Sequence, residues 1–120
     1  VSLLRRLFKH EDIGWIELEE KFTRYFVFRS RFFNVFLHQM SSPIMPPQCH
    51  DHPWSFVTLI LRKGYWESTD GITGTFRFPG TVLFRRAEFA HTVKTLRGET
   101  AWTLVLTGPV RRKWQNLECR

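Results

Sequence analysis

Between Lys21 and Thr107, short runs rich in Phe, Val, Leu, Tyr and Thr alternate with turn residues. The runs are Lys21–Phe28, Phe32–Met40, Ser55–Leu61, Tyr65–Ser68, Thr75–Phe78, Thr81–Arg85, His91–Leu96 and Ala101–Thr107. Ser30-Arg31, Lys63-Gly64, Thr69-Asp70-Gly71, Thr73-Gly74, Pro79-Gly80 and Arg97–Thr100 separate them. A turn signal about every 8–12 residues between β-prone segments is the pattern of an all-β sandwich or barrel. With Ile13–Leu18 as a first strand and Val110–Trp114 as an edge strand, the chain holds roughly nine or ten strands. The 12 Phe, 5 Trp and 2 Tyr agree, because aromatic side chains fit pleated, half-buried surfaces. Large apolar groups on both faces of Phe22–Phe28 predict a strand covered on two sides. Residues 1–12 read as a short amphipathic helical lead-in, with Leu3, Leu4, Leu7 and Phe8 at helical spacing.

The 120 residues make one domain, 1–120, with its core over about 20–114. No apolar run is long enough to cross a membrane as a helix. The two cysteines, Cys49 and Cys119, do not form a recognisable disulfide framework. A cytoplasmic location is therefore expected, with Cys49 a small buried residue, a ligand or an oxidisable thiol. The net charge of +7 admits nucleic acid as a partner. The basic residues are scattered, however, and no run exceeds three, which fits a solvated surface better than a binding stripe.

Chemistry concentrates in Cys49-His50-Asp51-His52-Pro53-Trp54. Side chains alternate along extended backbone, so His50 and His52 share one side. Two neutral imidazoles on one side make half a metal site, which a third ligand from a distant strand completes. Pro53 holds His52 extended. Pro43, Pro46 and Pro47 make 41–48 a rigid breaker that delivers the chain into this motif.

These residues resemble the cupin superfamily. Its first motif places Gly after His-x-His and a Glu, and Gly64 stands at that spacing from His50 and His52. Its second motif opens on Gly and reaches His, and Gly80 and His91 hold those positions. Val57 replaces the motif Glu, Arg86 and Glu88 replace Pro and Gly, and Thr95 replaces Asn. The resemblance covers about residues 20–110. It implies an RmlC-like jelly roll, a double-stranded β-helix, similar to small bacterial and phage cupins. It also implies a metal site of His50, His52 and His91 without a carboxylate. That three-His set is similar to the thiol dioxygenases, which hold ferrous iron, and Arg24 falls about where they place a carboxylate-binding Arg. Their Ser-His-Tyr set has no counterpart in Trp102–Gly108.

The expected cofactor is a divalent metal, Fe(II) first, with Zn, Ni or Cu as alternatives, because all-imidazole sites accept each of them. Candidates for the pocket wall or for support of the ligands are His38, Tyr65, Glu67, Arg86, Trp102 and Arg24. Glu67 is the carboxylate nearest the missing ligand. Arg85 and Arg86 are adjacent, so one faces inward, where it would bind an anionic group. The expected function is a mononuclear non-haem iron protein with oxygenase activity on a small anionic or thiol substrate. A non-catalytic small-ligand sensor is the alternative, and a nucleic-acid-binding β domain the remote one. No catalytic acid or base stands out. A homodimer is implied by the resemblance alone.

Overall fold

Residues Asn34, Phe36, His38 and Met40 are buried while their neighbours are half-exposed, the period of two that a strand with one face inward must have. The strand they form is central to the architecture. The computed structural model describes residues 2–12, 21–43, 48–113 and 115–119. They form a helix α1 (Ser2–Leu7) and strands β1 (His10–Asp12), β2 (Lys21–Arg29), β3 (Asn34–Ser41), β4 (Gln48–His50), β5 (Phe56–Arg62) and β6 (Tyr65–Ser68). Then follow β7 (Thr75–Arg77), β8 (Val82–Arg85), β9 (Thr92–Thr95), β10 (Ala101–Thr107) and β11 (Asn116–Glu118).

One sheet runs β1-β2-β3-β10-β5-β8, all pairs antiparallel. A three-stranded sheet runs β7-β6-β9, and β4 pairs with β11. Paired hydrogen bonds at two places tie these layers together. His50 and His91 exchange backbone hydrogen bonds of 2.8 and 3.0 Å. Thr95 N–H donates to the Ser42 carbonyl, and Ser42 N–H to Thr95 Oγ1.

Two apolar clusters fill the space between the layers. Met40, Ile60, Tyr65, Leu83, Val93 and Ala101, with Phe22 against them, form one. Phe36, Trp54, Phe56 and Val105, with Phe26, form the other. Strand β2 is covered on both faces over Phe22–Phe26, as its sequence predicts, whereas Val27 and Phe28 are exposed. Phe22 and Phe26 pack on the two clusters, while Tyr25 turns to the opposite face. There it stacks on Trp102, bonds Gln39 through its hydroxyl and is fully buried.

The structure corrects three expectations. Val110–Trp114 contributes no strand among its described residues. Arg111 and Arg112 instead donate their N–H groups to the Pro53 carbonyl, so this segment lies across the histidine motif, and the last strand comes later, at β11. Cys49 and Cys119 are joined in a disulfide, which removes Cys49 as a thiol or ligand and removes the cysteine argument for a reducing compartment. The pairing was hidden because 70 residues separate the two positions, and only the β4–β11 register brings them together. The lead-in is helical only over α1 and then pairs as β1. The expected strand Ile13–Leu18 and residues 44–47 of the proline loop lie outside the described residues. No helix among the described residues is long and apolar enough to cross a membrane.

Candidate metal centre

The three histidines come from two chain segments locked backbone to backbone. His50 ends β4, and the two-bond bridge to His91 fixes one ligand beside the other. His52 follows on extended chain, with its N–H bonded to the Ala87 carbonyl at 2.9 Å. Their ring centroids form a nearly equilateral triangle of 5.0, 4.8 and 5.0 Å. One nitrogen from each ring lies within 4.8 Å of the others.

Burial lowers His50 to about 3 and His52 to about 2, and the neighbouring histidine charges push the same way. Neutral imidazoles present the lone pairs that a metal takes. For His91 the free nitrogen is identified by its partner. Glu67 Oε2 lies 2.6 Å from His91 Nδ1, so the carboxylate accepts the Nδ1 proton and leaves Nε2 as the donor atom. Burial alone would raise the Glu67 carboxyl. Hydrogen bonds from His91 and Arg85, with their charges, outweigh it and hold the group below the usual carboxylate range. Arg85 reaches Glu67 at 2.6 Å and Arg77 at 3.0 Å. Glu67 is therefore a buried carboxylate that orients a ligand, and two guanidinium groups keep it charged.

The donor set fits a divalent ion: three imidazoles converge, and a charged carboxylate holds Nδ1 of one of them. Asp51, between the first two histidines, faces the C-terminal segment. Its Oδ1 accepts from Gln115 N–H at 2.7 Å, and its Oδ2 is 2.8 Å from Arg112 Nη2 in an ion pair not aligned as a hydrogen bond. This anchor and the disulfide at Cys49 hold the motif from both sides of His50.

A cavity of about 390 Å³ adjoins the trio. Its apolar wall includes Phe22, Met40, Trp54, Phe56, Val93 and Val105. Of the other residues singled out in the sequence, His38, Arg24 and Tyr65 also line it. Burial, and then the Glu67 charge, raise the Tyr65 hydroxyl, which stays protonated. Glu67 lies behind His91 and does not line the cavity. Two candidates fall elsewhere. Arg86 is exposed, since the alternation along β8 turns Arg85 inward and sends its neighbour out. Trp102 sits on the far face of the large sheet against Tyr25, opposite in phase to the cavity-lining Thr103. Glu88 pairs loosely with Arg111 at 3.5 Å, not with Arg85 or Arg86. The sequence reading missed Thr103, Arg77 and the C-terminal anchor. The strand period along Ala101–Thr107 places Thr103 on the same face as Val105, so its inward side was there to be found.

No family model and no curated protein matches this sequence. Solved structures do match. The polyketide cyclase RemF from Streptomyces resistomycificus aligns over 93% of this chain and 81% of its own, with a TM-score of 0.74 at 20% identity. A cupin-2 domain from Rhodospirillum rubrum aligns over 88% and 74%, with a TM-score of 0.68 at 13% identity. The DMSP lyase DddQ from Ruegeria pomeroyi DSS-3 aligns over 90% of this chain and 50% of its own, with a TM-score of 0.59 at 16% identity. With the layered sheets and the histidines at the motif spacings, these likenesses establish that the chain has the cupin fold, a double-stranded β-helix of the RmlC type.

Proposed function

We propose that this protein is a metal-dependent enzyme that holds one divalent ion on His50, His52 and His91 and acts on a small organic molecule in the adjoining cavity. The observation that carries this reading is the convergence of three imidazoles on the wall of a largely apolar cavity of about 390 Å³. A bound ion would supply Lewis-acid polarisation of a substrate oxygen or, as ferrous iron, activation of dioxygen. The chain's own residues do the rest. Glu67 fixes the His91 tautomer, Trp54 and Phe56 exclude water beside His52, and the cavity wall orients an apolar substrate body. With no carboxylate ligand to offset it, the ion would keep its full charge, which favours substrates bearing an anionic oxygen or sulfur.

Iron-dependent oxidation of a small anionic or thiol substrate is the first form of this reading. A redox-neutral cyclisation or elimination is the second, favoured by the structural likeness to a polyketide cyclase and to a DMSP lyase. Oxygen uptake separates them. Iron-loaded protein screened with small thiols and carboxylic acids consumes dioxygen in the first case. Substrate conversion by zinc-loaded protein under argon supports the second. Metal-loaded protein that binds such compounds and converts none would overturn both and leave a ligand sensor.

A further inference from the structure

A polar row crosses the inner face of the large sheet between its two apolar clusters. Register places Arg24 opposite His38, and His38 opposite Thr103, so three polar side chains stand side by side on β2, β3 and β10. All three line the cavity. The row on one side is Phe22, Met40 and Ala101; the row on the other is Phe26, Phe36 and Val105. Polar groups inside an apolar wall carry a desolvation cost unless something bonds them.

The hydrogen bonds already made define what is left over. Arg24 Nε–H donates to His38 Nε2 at 3.1 Å, and Arg24 Nη1 bonds Glu11 at 2.7 Å. A guanidinium donates only, so His38 Nε2 is an acceptor and the neutral ring carries its proton on Nδ1. Among the described residues nothing accepts that proton. Thr103, 1% exposed, likewise has no partner for its hydroxyl. Two adjacent donors on cavity-lining residues therefore have no acceptor among the described residues.

We propose that His38 Nδ1–H and the Thr103 hydroxyl form an oxygen-acceptor subsite, which orients a substrate with an apolar or aromatic body and a carbonyl or carboxylate oxygen. Arg24 acts as a positioning residue. By occupying His38 Nε2 it fixes the ring as a donor toward the cavity. Met40 and Phe36, on either side of His38 along β3, hold the apolar part of the ligand in line with the row. The inference rests on the cavity being the substrate site, but not on which metal the trio holds.

Fluorine NMR tests it with three probes: 4-fluorobenzoate, 4-fluoroacetophenone and 4-fluorotoluene, the last lacking an acceptor. Each is titrated into zinc-loaded protein and into chelator-stripped protein. Wild-type protein binds the acid or the ketone at least about tenfold more tightly than the toluene in both states, and the tighter of the two names the acceptor class. Thr103→Val and His38→Phe each reduce that preference about tenfold, and Thr103→Ser keeps it. His38→Phe keeps the ring's bulk and removes its N–H donor. Nitrogen NMR of the imidazoles places the His38 proton on Nδ1. The inference is overturned if neither oxygen-bearing probe binds wild-type protein, if both variants keep the wild-type preference, or if the proton resides on Nε2. A preference that disappears with the metal also overturns it, because the ion and not the row would then be the acceptor site. A preference that persists in protein unable to hold metal supports the row and condemns only the metal reading.

Discussion

Glu67 and His91 are joined by a 2.6 Å hydrogen bond in which the carboxylate, itself held by Arg77 and Arg85, decides which ring nitrogen faces the cavity. Glu67 comes from β6 and His91 from the residue just before β9, and these strands pair antiparallel in the small sheet. The three-histidine site thus depends on the small sheet as well as on the histidine motif.

Glu67→Gln keeps the shape and removes the charge. Metal affinity should fall about 10- to 100-fold, as it does when a ligand's supporting carboxylate is lost. Arg77 and Arg85 would lose their shared partner. Because both guanidinium groups are partly exposed, the stability loss should be about 2–3 kcal/mol, below the figure for a fully buried pair. Competition with a metallochromic chelator and thermal melting of apo protein measure the two effects separately.

His38 supplies a pH dependence outside the metal ligands. Burial, and then the Arg24 charge, hold its pKa well below the ordinary 6.5. In the unfolded chain the ring takes a proton below about 6.5, while in the folded chain it does not. The unfolded state then binds more protons, so stability is fully present above about pH 6.5 and is lost as pH falls below it. The slope approaches about 1.4 kcal/mol per pH unit from this group. Denaturant melts of apo protein between pH 7 and pH 5 should be shallower in pH for His38→Gln than for wild type. Equal slopes would mean that His38 titrates normally.

The disulfide closes a loop of 70 residues and fixes Cys49 next to His50. Loop-closure entropy gives an upper figure of about 4 kcal/mol for a cross-link of this span. Cys119→Ser should destabilise the protein by about 2–4 kcal/mol and speed metal loss, because β11 is no longer tied over β4. Reductant should lower the melting temperature of wild type and leave the variant unchanged.

Gly64 shows why a glycine stands at that point of the motif. Its φ is +74°, and a Cβ there would collide with the Arg77 carbonyl oxygen. Gly64→Ala should cost about 1–3 kcal/mol and loosen the β6–β7 hairpin that presents Glu67. Urea denaturation with metal titration checks both parts. An unchanged midpoint would contradict the close approach.

Much of this was legible because strand periodicity and turn residues report local structure directly. The bounds of β6 and β10 are those the sequence predicts, and the spacing of His50, His52, Gly64, Gly80 and His91 was enough to indicate the fold. What stayed hidden depends on register. The bulge between Phe26 and Phe28 shifts β2 against β3, so the opposition of Arg24 and His38 could not be counted from the hairpin turn. The choice between Arg85 and Arg86 rested on which side of β8 faces in. The disulfide and the role of Glu67 required knowing which strands pair across sheets, and local patterns carry no record of that.

One divalent ion held by His50, His52 and His91 is what the proposed function requires. Elemental analysis of untagged wild-type protein beside His50→Ala, His52→Ala and His91→Ala tests it most directly, with His38→Gln as the cavity control. Wild type and His38→Gln should each carry about one ion per chain, and each ligand variant should lose at least about tenfold in occupancy. Wild-type protein that takes up no iron, zinc, nickel or copper after loading, or His91→Ala protein that keeps full occupancy, would contradict it.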